Sequence, residues 1–250
     1  MALDANKNSY TFIFAFVMVV VVAAILSFAA TSLKPAQAEN IRLEKMQNIL
    51  ASINIEVDRE GAGEAYGKYI KREVVLSSNK PVEGINAFQI DLSKEMSKTP
   101  LERDAPMYIA EKEGSTYYII PLRGKGLWGP IWGYISLKED VNTVYGATFD
   151  HKTETPGLGA EINTPMFMEQ FQSKKILKDG QFSGIKVTKK EAAGDYEVDG
   201  ISGGTITSDG VEDMITDCMQ SYLVFLDTQR GTANTAALEN RNANSLVTVQ

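Results

Sequence analysis

The chain has 250 residues, room for one sizeable domain with appendages, and its 44% hydrophobic and 23% charged content is that of a folding sequence. A net charge of −7 with no cluster of Lys and Arg argues against nucleic acid as a partner, because phosphate neutralisation needs concentrated cations. The single cysteine, Cys218, excludes an internal disulfide, and its place on an apolar helical face marks it as a small buried hydrophobe.

From Phe12 to Ala30 the chain is apolar except for Ser27, a run of roughly twenty residues that is long enough to cross a bilayer as a helix. Ala36-Gln37-Ala38 has the form of a signal-peptidase site, but the apolar run exceeds the roughly 7 to 15 residues of a signal peptide, so an anchor is the reading taken. Residues 1–11 then form the N-terminal segment, 12–33 the membrane span and 34–56 a connector. Lys7 against Lys34 leaves the positive-inside rule nearly silent on orientation. Past Pro35, Ile41, Leu43, Met46, Leu50 and Ile53 fall close to one face of a helix from about Glu39 to Ser52.

Residues 57–227 read as the folded domain. Strands are expected at Glu73 to Ser77, Ala87 to Leu92, Met107 to Glu111, Thr116 to Leu122, Gly133 to Lys138 and Val144 to Phe149, each rich in β-branched or aromatic residues and bounded by Gly, Pro or Asp. Gly124-Lys125-Gly126-Leu127-Trp128-Gly129 fits G-x-G-x-x-G, but a strand rather than a helix follows it, so it reads as a glycine hairpin and not a dinucleotide site. Trp128 and Trp132 are read as hairpin packing and left out of the site. In His151-Lys152-Thr153-Glu154-Thr155-Pro156-Gly157-Leu158-Gly159, a proline and two glycines make a tight loop that presents backbone amides beside one apolar side chain. His151 is read as solvent-facing or capping, since no second His or neighbouring Cys completes a metal site.

A helix is expected over Thr164 to Ile176, with Thr164 as cap and Pro165 at the first position, and strands at Gln181 to Thr188 and Tyr196 to Val198. Next comes Asp199-Gly200-Ile201-Ser202-Gly203-Gly204-Thr205-Ile206-Thr207-Ser208. Val211, Met214, Ile215, Cys218, Met219, Tyr222, Phe225 and Leu226 then recur at helical spacing, with Asp209 expected as the cap and Glu212 as its reciprocal partner. Gly203 and Gly204 leave Thr205 accessible, and the positive end of the helix dipole lies a few residues on, where a phosphate would be stabilised. Gly200-Ile201-Ser202-Gly203-Gly204 also satisfies G-x-S-x-G, but the only histidine precedes it, against the order a hydrolase triad needs. Residues 228–250 are polar and expected to be extended or disordered unless a partner orders them.

The stretch Asp199 to Thr205 resembles the Asp-x-x-Ser/Thr-Gly-Ala-Thr signature of the covalent FMN-binding domain, matching at Asp199, Ser202, Gly203 and Thr205 and departing at Gly204, where alanine is usual. The loop from Glu154 to Gly159 is similar to the Glu-Thr-Pro-Gly-Leu-Gly element of the same family, and Arg123 to Trp128 to its R-G-x-G-L-W segment. Gln47, Asn48, Ile49 and Leu50, after an anchor, resemble the C-subunit family of the Na+-translocating NADH:quinone reductase.

The resemblance implies an α+β fold in which a single N-terminal transmembrane helix precedes a mostly antiparallel sheet domain with flanking helices. It implies FMN bonded covalently to Thr205 by a flavin transferase that recognises Asp199. Ser202, Gly203, Gly204, Thr207, Thr155, Gly157, Leu158 and Gly159 would surround the cofactor, with Glu154 as support. No catalytic residue or metal is implied, since the ring carries the electrons. The implied setting is the bacterial inner membrane, with the N-terminus cytoplasmic and the flavin domain on the periplasmic side, and the implied partners are the other reductase subunits. The flavin subunit of the ferredoxin:NAD reductase complex and a stand-alone membrane-anchored FMN-binding protein remain as alternatives.

Overall fold

The structure is a computed structural model, and it describes residues 8–189 and 191–231. Helix α1 (Asn8–Ala51) continues through Pro35, so the expected span and connector helix form one element. Pro35 has no amide to donate to the preceding turn, a cost of about 3 kcal/mol in a helix interior, yet strong helix formers on both sides carry the helix past it. Its apolar part has a mean hydropathy of 3.0 over 18 residues, with none of that window buried. Phe12, Phe16 and Phe28 are exposed, a surface satisfied by hydrocarbon and not by water.

The compact folded unit starts at Met46, inside the connector. Met46, Ile49, Leu50 and Ile53 are buried in it, so these residues are core of the domain and not a spacer before it. Helix α2 (Ala62–Tyr69) leads into strand β1 (Ile70–Ser77), and β2 (Lys80–Val82) pairs back on it. Short helix α3 (Leu92–Glu95) follows, then β3 (Asp104–Lys112), β4 (Ser115–Lys125), β5 (Pro130–Leu137) and β6 (Val144–His151). These make one antiparallel sheet of six strands in the order β2-β1-β3-β4-β5-β6.

Alternation along the strands sends the two side-chain sets to opposite faces. Val74, Leu76, Met107, Ile109, Ile120, Leu122, Ile131 and Ile135 belong to the main core, together with the later helices. The intervening Val75, Tyr108, Ile119 and Tyr134 are also buried. The end of α1 meets that second side: the Ser136 hydroxyl donates to the Ser52 carbonyl at 2.5 Å, and Lys112 Nζ donates to the Ile53 carbonyl at 3.0 Å. Lys112 thereby supplies a cation to carbonyls at a helix C-terminus, where they lack helical partners.

Three expected elements differ. Ala87 to Leu92 is not a strand but a 3-10 turn (Ala87–Gln89) leading to α3, because Asn86 accepts the Phe88 amide at 2.8 Å and Asp91 the Ser93 amide at 3.0 Å, side-chain caps that start helical turns. The Thr164 to Ile176 helix shrinks to α4 (Pro165–Met168) and a 3-10 turn to Phe171. Phe167 and Phe171 are drawn into an edge-to-face aromatic cluster with Phe149, and Ser173 at φ 65° ends any helical path. Gln181 to Thr188 is split at Gly184 into β8 (Gln181–Phe182), paired with β7 (Leu177–Lys178), and β9 (Lys186–Thr188), paired in parallel with β10 (Glu197–Asp199). Helix α5 (Thr205–Met219) closes the main core, and residues 223–231 are also helical, into the first part of the expected tail. The rest of that tail, 232–250, lies outside the described residues.

Candidate functional site

Strand β10 delivers the chain to a turn in which the Gly204 amide donates to the Ile201 carbonyl at 2.9 Å. Gly203 sits at φ 74°, so the position favours glycine on conformational grounds, and a β-carbon there would lie 2.7 Å from Leu158 Cδ2, which would have to move aside. Gly204 is the N-cap of α5 and Thr205 its first residue.

The expected cap is corrected here. The first intrahelical bond runs from the Ser208 amide to the Gly204 carbonyl at 2.9 Å, so Asp209 lies within the helix. Glu212 reaches another element, accepting the Val187 amide of β9 at 2.8 Å, and the Ser208 hydroxyl accepts the Ile201 amide at 3.0 Å. The helix thus begins earlier than expected and places Thr205 in the first turn, whose amides have no helical acceptor and where the dipole favours an anion.

Three segments converge on a cleft of about 210 Å³ beside Thr205. The β4–β5 hairpin tip contributes Leu127 and Trp128, the loop after β6 contributes Thr155, Leu158 and Gly159, and the start of α5 contributes Gly203 to Thr207. Leu127 is 47% exposed, Trp128 66%, Leu158 40% and Ile206 58%, an apolar rim around a partly exposed threonine. The volume is below the roughly 300–1,000 Å³ of sites that engulf a ligand, so a drug-sized molecule seated here would be only partly enclosed.

The carboxylate of Glu154 forms the floor. It is 5% exposed, accepts the Trp128 amide at 2.8 Å on one oxygen and the Thr207 hydroxyl at 2.6 Å on the other. Burial pushes its carboxyl up, but the Thr207 hydroxyl, the Trp128 and Gly129 amides and nearby His151 outweigh this and hold it below the ordinary carboxylate value. His151 Nδ1 accepts the Glu154 backbone amide at 3.3 Å, a capping role.

Of the residues expected around the cofactor, Glu154, Thr155, Leu158, Gly159, Gly203, Gly204, Thr205 and Thr207 line the cleft. Thr207 is buried and turned to Glu154. Ser202 and Gly157 are exposed and do not line the cleft, and neither does Asp199, whose carboxylate accepts the Ala192 amide at 2.6 Å. Leu127, Trp128 and Ile206 were not expected there. Gly126 and Gly129 marked the hairpin tip, but nothing in the local pattern said that the tip reaches across to a helix much later in the chain. The contact follows from close packing of α5 on β4: a β-carbon on Gly210 would lie 2.5 Å from the Lys125 carbonyl, and one on Gly124 2.6 Å from Met214 Cβ.

Residues 126–220 match the family model of the FMN-binding domain. The chain is similar to the C subunit of the Na+-translocating NADH-quinone reductase of Haemophilus ducreyi, at 30% identity over 227 residues that cover 83% of this chain and 88% of the relative. It is likewise similar to that of Vibrio alginolyticus, at 32% over 213 residues, 77% of this chain and 82% of the relative. The crystal structure of the same subunit from Parabacteroides distasonis superposes with a TM-score of 0.73 at 45% identity, covering 78% of this chain and 96% of that one. NqrC of Shewanella oneidensis, at 22% identity and a TM-score of 0.61 over 75% of this chain and 98% of that one, shares the fold. With this similarity running along most of both chains, the protein belongs to the C-subunit family of the Na+-translocating NADH-quinone reductase.

Proposed function

We propose that this chain carries FMN in the cleft beside Thr205, bonded through its phosphate to the Thr205 hydroxyl, and relays electrons as the flavin subunit of a membrane Na+-translocating NADH-quinone reductase. The observation that carries this reading is the placing of Thr205: a partly exposed threonine in the first turn of α5, where amides have no helical acceptor, with an apolar-rimmed cleft alongside. The residues present fit the group. The first-turn amides and helix dipole suit the phosphate, and Leu127 and Leu158 offer apolar surface to a flat ring. Glycine at 203 keeps the turn from being filled by a side chain.

Attachment is a transfer from FAD by a flavin transferase. The Thr205 Oγ1–phosphorus bond forms, the pyrophosphate bond breaks, and the threonine proton leaves with AMP. Asp199, exposed at the end of β10 just before the turn into the helix, is the contact offered to that enzyme. Bound FMN supplies the electron-accepting ring. The protein's share is to orient that ring, screen one side from water with the hairpin tip, and leave the other side open to a partner protein. Helix α1 anchors the chain in the membrane, with the flavin domain on the periplasmic side of the inner membrane, where a covalent bond keeps the cofactor from being lost.

Full-length protein produced with a flavin transferase tests the reading on a denaturing gel. Wild type and Thr207→Ala should give a fluorescent flavin band and Thr205→Ala none; a band persisting in Thr205→Ala would place the bond elsewhere.

A further inference from the structure

The buried carboxylate of Glu154 joins all three segments of the cleft. It stands in the loop after β6, binds the hairpin tip through the Trp128 amide at 2.8 Å, and binds the first turn of α5 through the Thr207 hydroxyl at 2.6 Å. The two flanking glycines are shaped around it: a β-carbon on Gly126 would lie 2.6 Å from Oε1, and one on Gly159 would lie 2.5 Å from Oε2. No cation pairs with this carboxylate among the described ion pairs. The hydrogen bonds to the carboxylate come from neutral donors, the Trp128 and Gly129 amides and the Thr207 hydroxyl, which satisfy it without cancelling its field, and His151 nearby acts on it only through space.

From this juxtaposition we infer that Glu154 is the positioning residue of the cleft and its fixed negative charge: it latches the hairpin tip to the first turn of α5, and it opposes negative charge on a ring bound between them. The inference rests on the reading that FMN occupies this cleft. Its electrostatic part follows from geometry. A carboxylate that lines the cleft and is shielded from solvent acts through a medium of lower effective dielectric than water, so it penalises a reduced, negatively charged ring more than an oxidised, neutral one. The mechanical part follows from accounting for donors. Without an acceptor at this place, the Trp128 amide and Thr207 hydroxyl are left unsatisfied next to apolar side chains, and the tip gains freedom to swing away.

Two substitutions separate the parts. In Glu154→Gln the amide oxygen still accepts the Trp128 amide, and the Thr207 hydroxyl rotates to accept from the new NH2 group, so the latch persists while the charge is gone. In Glu154→Ala both are lost. Hydrogen exchange on the full-length, flavin-free protein should show the Trp128 amide exchanging at least about tenfold faster in Glu154→Ala than in wild type, and close to wild type in Glu154→Gln. Potentiometry of flavin-loaded Glu154→Gln should show one-electron reduction favoured by about tenfold over wild type, a rise of ~59 mV. A potential equal to wild type in Glu154→Gln overturns the charge assignment. Unchanged Trp128 exchange in Glu154→Ala, or exchange in Glu154→Gln as fast as in a loosened tip, overturns the latch. The exchange experiment needs no cofactor, so it decides the latch even if Thr205 proves not to carry FMN.

Discussion

At the residue scale, the turn before α5 separates two adjacent glycines that look equivalent in the sequence. Gly203 has φ 74° and a β-carbon there would meet Leu158 Cδ2 at 2.7 Å, whereas Gly204 has φ −105°, which any residue adopts, and its β-carbon would meet Ile201 Cγ2 at 3.0 Å and the Gly159 amide at 3.2 Å. Gly203→Ala should therefore cost about 1–3 kcal/mol of stability and disturb flavin attachment. Gly204→Ala, the residue usual in the resembling signature, needs only a few tenths of an ångström from Ile201 and should change stability by under about 1 kcal/mol. Chemical denaturation of the two variants, read beside flavin incorporation, checks the order.

Glu154 gives a pH prediction at the same scale. Its folded pKa lies below the ordinary value, so its contribution to stability is fully present above the unfolded value of about 4.3 and is lost as pH falls through the folded one. Thermal unfolding followed below about pH 5 should fall more steeply in wild type than in Glu154→Gln. The loop holding Glu154 was legible as a site because Pro156, Gly157 and Gly159 announce a tight turn. Glu154's buried place under the cleft was not, because a single Glu in a polar loop carries no local signal of what will cover it.

At the element scale, β3 to β6 were readable because their apolar residues are bounded by turn residues and local preference agrees with tertiary demand. The hairpin at Gly126 to Gly129 was readable for the same reason: the Gly126 amide donates to the Gly129 carbonyl at 2.8 Å, and the antiparallel ladder follows from it. Helix α5 was legible in its apolar face but not in its start, since Asp209 satisfies the local capping rule while the tertiary turn at Ile201 to Gly204 begins the helix sooner.

The register of α5 on the sheet has its own check. Buried Arg103 donates to the Asp217 carboxylate at 3.1 Å, to the Asp217 carbonyl at 3.1 Å and to the Lys98 carbonyl at 3.1 Å, so it ties α5 to the segment before β3. Arg103→Met removes this donor from the Lys98 and Asp217 carbonyls, while the half-exposed Asp217 carboxylate turns to water, and should lower stability by about 1–3 kcal/mol, as read by the denaturation midpoint. Cys218 sits beside Asp217 on the core face, and burial pushes its thiol up to about 12. It should resist thiol-reactive reagents at neutral pH in the native protein and react only on unfolding.

At the scale of the whole molecule, the sequence divided the chain at the end of a connector, while the compact unit begins at Met46. The apolar positions of the connector were visible as a helical face, but whether such a face lies on a domain or on lipid depends on what the chain brings to it, which periodicity does not say. The difference has a measurable consequence. A chain starting at residue 40 should fold and stay in aqueous solution, whereas one starting at residue 57 loses Met46, Ile49, Leu50 and Ile53 from the core. Burying such side chains contributes roughly 1.5–3 kcal/mol each, together comparable to the whole margin of a domain at about 5–15 kcal/mol, so the shorter chain should aggregate or show no cooperative unfolding. The full chain should partition into detergent through α1.

The bond at Thr205 is the central claim, and intact mass of the full-length protein, made with and without a flavin transferase and then mapped by peptide, tests it most directly. The account predicts a gain of one FMN less one water, present only with the transferase and confined to the peptide that contains Thr205. An unmodified peptide across Asp199 to Ser208 in protein made with an active transferase, or the added mass on any other residue, would contradict it.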